Sequence, residues 1–249
     1  MELTILGSGT GAPFLKRNAS GLVIKTKGEN LVFDTGPGII RKLLEIGITY
    51  HDIDYIFYTH FHTDHTLDLA CFLFAAKYAL SLRTKGLIII GPAGLERFYG
   101  GLLNLYGDVI GPEVYEVNLR EIGEESLDFG AYKITAMRMQ HCPESLGYRI
   151  ESDGKVITYS GDTDVCENIG KLGENADVLI LECSFPDEMK VEGHLIPREA
   201  GRIAQMCSCK RLVLSHLYPV CHDDDIIRQT KKTFKGEVIV AHDLMRLVL

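Results

Sequence analysis

Apolar residues in this chain come in short alternating or continuous runs, separated by helical patterns with apolar positions three and four apart. The opening third predicts strands at 2–6, 21–26 and 31–34, the last two joined by a Lys-Gly-Glu-Asn turn, and then a helix over 38–46. Pro37 starts that helix and Gly47 ends it. A strand at 54–58 runs straight into a polar loop at 60–65, followed by an apolar helix over 67–82, a buried strand at 86–90 and a helix around 94–106. From 113 to 160 the pattern is rich in strands, at 113–119, 131–139, 146–151 and 155–160, and Ser152-Asp153-Gly154 marks the last pair as a tight hairpin. The remainder alternates: helix 164–172, strand 177–181, helix 197–207, strand 210–214, helix 223–232 and strand 237–241.

Strands early in each half, followed by helix-separated strands, predict an α/β fold of two mixed sheets with helices outside. Its long apolar strands would be buried on both faces. Neither a Pro/Ser-rich linker nor a repeat of 20–50 residues interrupts the 249 residues, so residues 1–249 read as one domain.

Composition agrees with a folded chain, with 46% hydrophobic and 24% charged residues. A formal charge of −8 and a pI near 5.6 argue against extended nucleic acid lying across a broad face. They do not exclude a local cationic cleft built by metal ions. The N-terminus shows no basic leader, and the apolar stretch Leu67 to Leu82, interrupted by Asp68 and Lys77, falls short of the ~20 residues needed to span a bilayer. Seven cysteines without a C-x-x-C pair fit reduced thiols, and the expected compartment is the cytoplasm.

Chemistry concentrates in Thr59-His60-Phe61-His62-Thr63-Asp64-His65. His60 and His62, two apart in an extended segment, project to the same side and can grip one ion, while Asp64 and His65 can reach a second. Further ligands follow predicted strands: His141, Asp162 and His216. The resulting arrangement puts His60, His62 and His141 on one ion and Asp64, His65 and His216 on the other, with Asp162 and a hydroxide between them. A histidine-rich set suits zinc, admits manganese or iron, and disfavours calcium and magnesium. Two divalent ions against two carboxylates and a hydroxide leave a cationic cleft, suited to an anionic substrate.

These segments, with Leu6-Gly7-Ser8-Gly9-Thr10 and Phe33-Asp34-Thr35-Gly36 before them, occur in the order of the metallo-β-lactamase superfamily, which the whole chain resembles. Ser145-x-Gly147-Tyr148-Arg149, Ser160-Gly161-Asp162-Thr163 and Gly193-His194 ahead of Glu199-Ala200 resemble its ribonuclease Z branch. The resemblance implies an αββα sandwich, two zinc ions and phosphodiester hydrolysis. It also implies that His194 assists at the scissile phosphate, that Glu199 orients His194, and that Asp64 relays a proton.

Two departures redirect the substrate. Ribonuclease Z carries a basic arm for transfer RNA between the positions matching His141 and Asp162, where this chain has only 20 residues, and His216-Leu-Tyr-Pro-Val lacks the branch's arginine. A small phosphodiester is therefore the expected substrate. The alternatives are transfer RNA 3′ processing without the arm, or thioesterase, lactonase or lactamase chemistry on the same metals. Asp34 is expected to organise its loop through hydrogen bonds rather than to touch metal. His51, His222 and His242 have no partners in register and read as surface or packing residues. The apolar helix 67–82 and the segment 98–110 offer surface for a homodimer.

Overall fold

The computed structural model describes residues 1–79 and 81–249. Strands β1 (Glu2–Gly7), β2 (Gly21–Thr26) and β3 (Glu29–Phe33) form an antiparallel meander. Helix α1 (Ile39–Glu45) then crosses to β4 (Tyr55–Phe57), parallel to β3. Helices α2 (Thr63–Thr66) and α3 (Asp68–Tyr78) lead to β5 (Leu87–Pro92), and α4 (Leu95–Tyr106) to β6 (Val117–Ile122), both strands continuing in parallel.

The second sheet repeats the scheme. Strands β7 (Glu125–Asp128), β8 (Lys133–Arg138), β9 (Leu146–Ser152) and β10 (Lys155–Tyr159) are antiparallel. Helix α5 (Glu167–Gly173), β11 (Val178–Glu182), α6 (Pro197–Met206), β12 (Arg211–Ser215), α7 (Asp223–Thr230) and β13 (Glu237–Val240) add the parallel half. Finally β14 (Met245–Val248) returns to pair antiparallel with β1. The sheets run β14-β1-β2-β3-β4-β5-β6 and β13-β12-β11-β10-β9-β8-β7.

Three apolar clusters make the four layers. One, including Phe33, Phe57, Tyr148, Ile150 and Val213, lies between the sheets. A second packs the first sheet under α1, α3 and α4 through Leu43, Phe72, Leu73 and Leu95. The third packs the second sheet under α5, α6 and α7 through Leu172, Ile203 and Ile226. The predicted αββα sandwich is therefore the observed one.

Four elements differ from expectation. The helix read over 67–82 begins earlier, as a short turn at Thr63–Thr66, and α3 stops at Tyr78; Leu80, inside the predicted span, lies outside the described residues. The strand read at 113–119 is displaced to Val117–Ile122, because pairing with β5 selects the register. Strands β7 and β14 were not expected: each is four residues long and carries charge, so neither shows sustained apolar alternation. Tertiary pairing with β8 and β1 makes them strands.

The predicted hairpin is a two-residue turn, with Ser152 opposite Lys155 and both Asp153 and Gly154 at positive φ. Nothing but β9, that turn, β10 and short loops separates His141 from Asp162. Among the described residues no helix is long and apolar enough to cross a membrane. The seven cysteines are free thiols.

Candidate metal centre

The carboxyl ends of β3, β4, β8, β10, β11 and β12 point to one edge of the sandwich, and the polar side chains gather there. Asp34 follows β3, His60 and His62 follow β4, His141 follows β8, Asp162 follows β10, Glu182 ends β11 and His216 follows β12. Asp64 and His65 do not lie in open loop but on α2, with Asp64 in its first turn. Gly36 lets that turn close in: a Cβ there would meet the Asp64 carbonyl oxygen at 2.1 Å. Gly161, at φ +58°, lets the chain pass Thr59 on its way into Asp162. Asp34 and His216 adopt left-handed φ of 59° and 56°, strain that surrounding hydrogen bonds hold in place.

Each imidazole is oriented from behind. His65 Nδ1–H donates to Asp34 Oδ2 at 2.8 Å, and His141 Nδ1–H donates to the Gly193 carbonyl at 2.9 Å; both partners can only accept. The Thr59 hydroxyl donates to Asp34 Oδ2 at 2.9 Å and so accepts from His60 Nδ1 at 3.0 Å. The Ser184 hydroxyl donates to Glu182 Oε2 at 2.7 Å and so accepts from His216 Nδ1 at 3.0 Å. With every Nδ1 proton turned outward, the Nε2 lone pairs of these four rings face inward. Second partners of this kind are what fix the tautomer of a metal-binding histidine. His62 presents Nδ1, 3.2 Å from His141 Nε2, while its Nε2 lies 3.5 Å from Cys142 Sγ.

The donors fall into two principal groups, and a third, Asp162, His194 and His216, shares two of its residues with them. His60, His62, His141 and Asp162 place one ligand atom each within 4.8 Å of one another, as do Asp64, His65 and His216. Asp162 bridges them: Oδ2 is 3.8 Å from the Nε2 of His60 and of His141 and 3.4 Å from His216 Nε2, and Oδ1 is 3.3 Å from His65 Nε2. In the second group His216 Nε2 lies 3.4 Å from both His65 Nε2 and Asp64 Oδ2.

Such a set calls for a cation. His60 Nε2 and Asp162 Oδ1 are buried polar atoms that make no hydrogen bond. Burial, followed by the neighbouring His65, holds His60 well below the ordinary imidazole pKa, so it is neutral and its lone pair is free. Burial also presses on His65, but the charges of Asp162 and Asp34 on its two sides outweigh it and hold His65 well above the ordinary value. A proton thus collects where the ligand geometry offers a positive ion its place. Asp162 stays ionised well below the usual carboxylate range: burial opposes this, and His216 and His65 overcome it. Five imidazoles and two carboxylates are the donor chemistry of zinc and its first-row neighbours rather than of calcium or magnesium.

His194 stands at the rim, its ring 4.9 Å from that of His141 and parallel to that of His216 at 5.8 Å. Its Nδ1–H donates to Glu182 Oε1 at 2.9 Å, leaving Nε2 free. Burial lowers its pKa, yet the hydrogen bond and charge of Glu182 prevail and raise it above the ordinary value. The partner expected here was Glu199. Its carboxylate instead takes the Lys190 ammonium at 2.7 Å and the Ile196 N–H at 3.3 Å at the start of α6. Glu199 is held by its own helix N-terminus, and only the Lys190 contact with the His194 carbonyl oxygen, at 2.6 Å, connects the two. Glu182 escaped sequence reasoning although the signal was there: an acid at the end of the wholly buried strand Val178–Glu182, where His141, Asp162 and His216 were sought. Asp34 accepts from Thr59, His65 and Tyr159 and belongs to none of the donor groups.

A model of the Beta-lactamase superfamily domain matches residues 29–217. The ribonuclease Z of Streptomyces avermitilis is 28% identical over an alignment covering 99% of this chain and 97% of that protein. That alignment runs to 296 residues against the 249 here, so the relative carries insertions this chain lacks. The crystal structure of human tRNase Z, short form, is 28% identical with a TM-score of 0.81, covering 100% of this chain and 99% of that one. The metallo-beta-lactamase fold protein YhfI from Bacillus subtilis is 25% identical with a TM-score of 0.87, covering 99% and 98%.

Proposed function

We propose that this chain, which belongs to the beta-lactamase superfamily, is a metal-dependent phosphodiesterase that holds two divalent ions, zinc foremost, and cleaves a small anionic phosphodiester. The observation that carries this reading is Asp162, whose carboxylate stands between the donor groups, Oδ2 at 3.8 Å from His60 and His141 and 3.4 Å from His216, and Oδ1 at 3.3 Å from His65. His60, His62 and His141 would hold one ion, Asp64, His65 and His216 the other, and Asp162 both. Ions held there supply a water activated near neutral pH and neutralise charge building on the phosphoryl oxygens.

The chain's own residues do the rest. Asp64 Oδ2 accepts from the Gly11 N–H at 2.9 Å, which fixes the carboxylate at the mouth, 3.4 Å from His216 Nε2. His194, whose pKa the hydrogen bond and charge of Glu182 raise against the opposing effect of burial, keeps Nε2 free and, when protonated, can protonate a departing alkoxide or steady the phosphoryl oxygens. Asp64 and His194 are accordingly the catalytic residues of this reading. His60 and His65, fully buried, exclude bulk water from the floor of the site.

Small substrate size is supported by the two-residue turn between β9 and β10, which leaves no arm, and by the charge of −8. Cleavage of RNA is the second reading, favoured by the names of the relatives. The decisive experiment offers bis(p-nitrophenyl) phosphate, a 3′-extended transfer RNA, and a panel of thioesters and lactones to the zinc-loaded protein. Hydrolysis of the phosphodiester that vanishes in Asp162→Ala and His216→Ala is expected. Preference for the RNA would replace the small-substrate reading, and preference for acyl substrates would refute phosphodiester chemistry. The exposed stripe of Leu67, Phe74 and Tyr78 along α3 accords with a homodimer, which sedimentation of Phe74→Glu beside the parent protein tests.

A further inference from the structure

Ser184 has no part in the reading above beyond orienting one ring, yet its hydroxyl contacts three different side chains of the site. It is fully buried, and its backbone carbonyl is tied down by the Tyr218 N–H at 3.2 Å and the Cys221 thiol at 3.3 Å. A serine hydroxyl has one proton and two lone pairs. Here the proton goes to Glu182 Oε2 at 2.7 Å, one lone pair faces His216 Nδ1 at 3.0 Å, and the other faces His194 Nδ1 at 3.2 Å. Glu182 can only accept, and its Oε1 is taken by the Thr163 N–H at 2.7 Å and by His194. One directional arrangement satisfies all of these atoms.

We infer that Ser184 is the positioning residue that links the second ion subsite to the acid: its hydroxyl aims His216 Nε2 at the ion and, through Glu182, holds His194 at the scissile bond. The inference rests on the two-ion reading. Removing the hydroxyl leaves His216 Nδ1–H without an acceptor in a buried setting, so the ring is free to exchange tautomer or turn, and Glu182 Oε2 loses its only donor among these contacts. Removal of an outer hydrogen-bond partner of this kind lowers metal affinity by about 10–100-fold. The Ser184 hydroxyl makes no hydrogen bond with His60, His62 or His141, so an ion held by those three should keep its affinity.

The test is a zinc titration against a chromophoric chelator, run on the parent protein and on Ser184→Ala, Ser184→Cys and Ser184→Thr, with melting followed in parallel and the His216 Nδ1–H followed by nitrogen-15 NMR. Alanine should weaken only one of the two ions, the one assigned to Asp64, His65 and His216, by about 10–100-fold, and the His216 proton signal should broaden or move. Cysteine, similar in size but a weak acceptor, should follow alanine, and threonine, which keeps the hydroxyl, should restore the parent affinity. Both ions held equally by the parent and the alanine variant would overturn the inference while leaving the two-ion reading intact. So would losses that follow melting temperature across all three variants, since packing alone would explain them. A parent protein that takes up no second ion would instead refute the two-ion reading, and the inference with it.

Discussion

Asp34→Asn isolates the part played by a buried carboxylate that lies outside the donor groups. Asp34 is fully buried, and it accepts from the Thr59 N–H at 2.8 Å, the Thr59 hydroxyl at 2.9 Å, His65 Nδ1–H at 2.8 Å and the Tyr159 hydroxyl at 2.9 Å. Asparagine keeps one acceptor oxygen for the Thr59 N–H but puts an NH₂ where three donors converge. The two hydroxyls can rotate and accept from it; the imidazole cannot. His65 escapes the clash only by moving its proton to Nε2, the atom facing Asp162 and His216. Losing one or two charge-assisted bonds at about 1.5–3 kcal/mol each, less what the hydroxyls recover, gives a destabilisation of about 2–4 kcal/mol. In a domain of this size that lowers the melting temperature by roughly 4–16 °C. Because the displaced proton also occupies the ligand atom, affinity for the ion on His65 should fall about 10–100-fold. Calorimetry of the metal-free protein reads the first effect and chelator competition the second. A variant that melts early but binds both ions like the parent would refute the tautomer argument; one that melts within about 1 kcal/mol of the parent would refute the hub itself.

Other consequences follow from the same geometry. His194→Ala should keep both ions and lose hydrolysis by about 10²–10⁴-fold, with a smaller loss for a p-nitrophenyl ester than for an alkyl ester whose leaving group needs a proton; equal losses would remove the acid role. Dialysis against a chelator should abolish hydrolysis and, at an ion concentration 100-fold above its dissociation constant, withdraw about 2.7 kcal/mol of stability, with zinc restoring both; an unchanged melting curve would show that no ion was bound. Gly161→Ala forces a Cβ to 2.7 Å from Thr59 Cβ at φ +58°, so a loss of about 1–3 kcal/mol is expected, together with weaker ion binding as Asp162 shifts; a stability like the parent's, measured by urea unfolding, would refute it.

Most of the architecture was legible in the chain because its strands are long, apolar and separated by amphipathic helices. Strands β7 and β14 were not, since four residues with charges among them become strands only when a neighbouring strand supplies the ladder. The same contrast runs through the site. His60, His62, Asp64, His65, His141, Asp162 and His216 announce themselves by residue type and by position after a strand. Glu182, Ser184 and Thr59 are common residues whose importance lies in what stands across from them, and Glu199, three positions after its own N-cap, is captured by the nearest backbone N–H before it can reach His194.

Sequence alone therefore determined the donor inventory and the absence of an arm between His141 and Asp162, because both are facts of residue identity and chain length. Only the tertiary structure decided that Asp162 lies between two donor groups, and that His194 answers to Glu182 rather than Glu199. Those are matters of a few ångströms between residues far apart in the chain, set when two separately wound sheets press their strand ends to one edge.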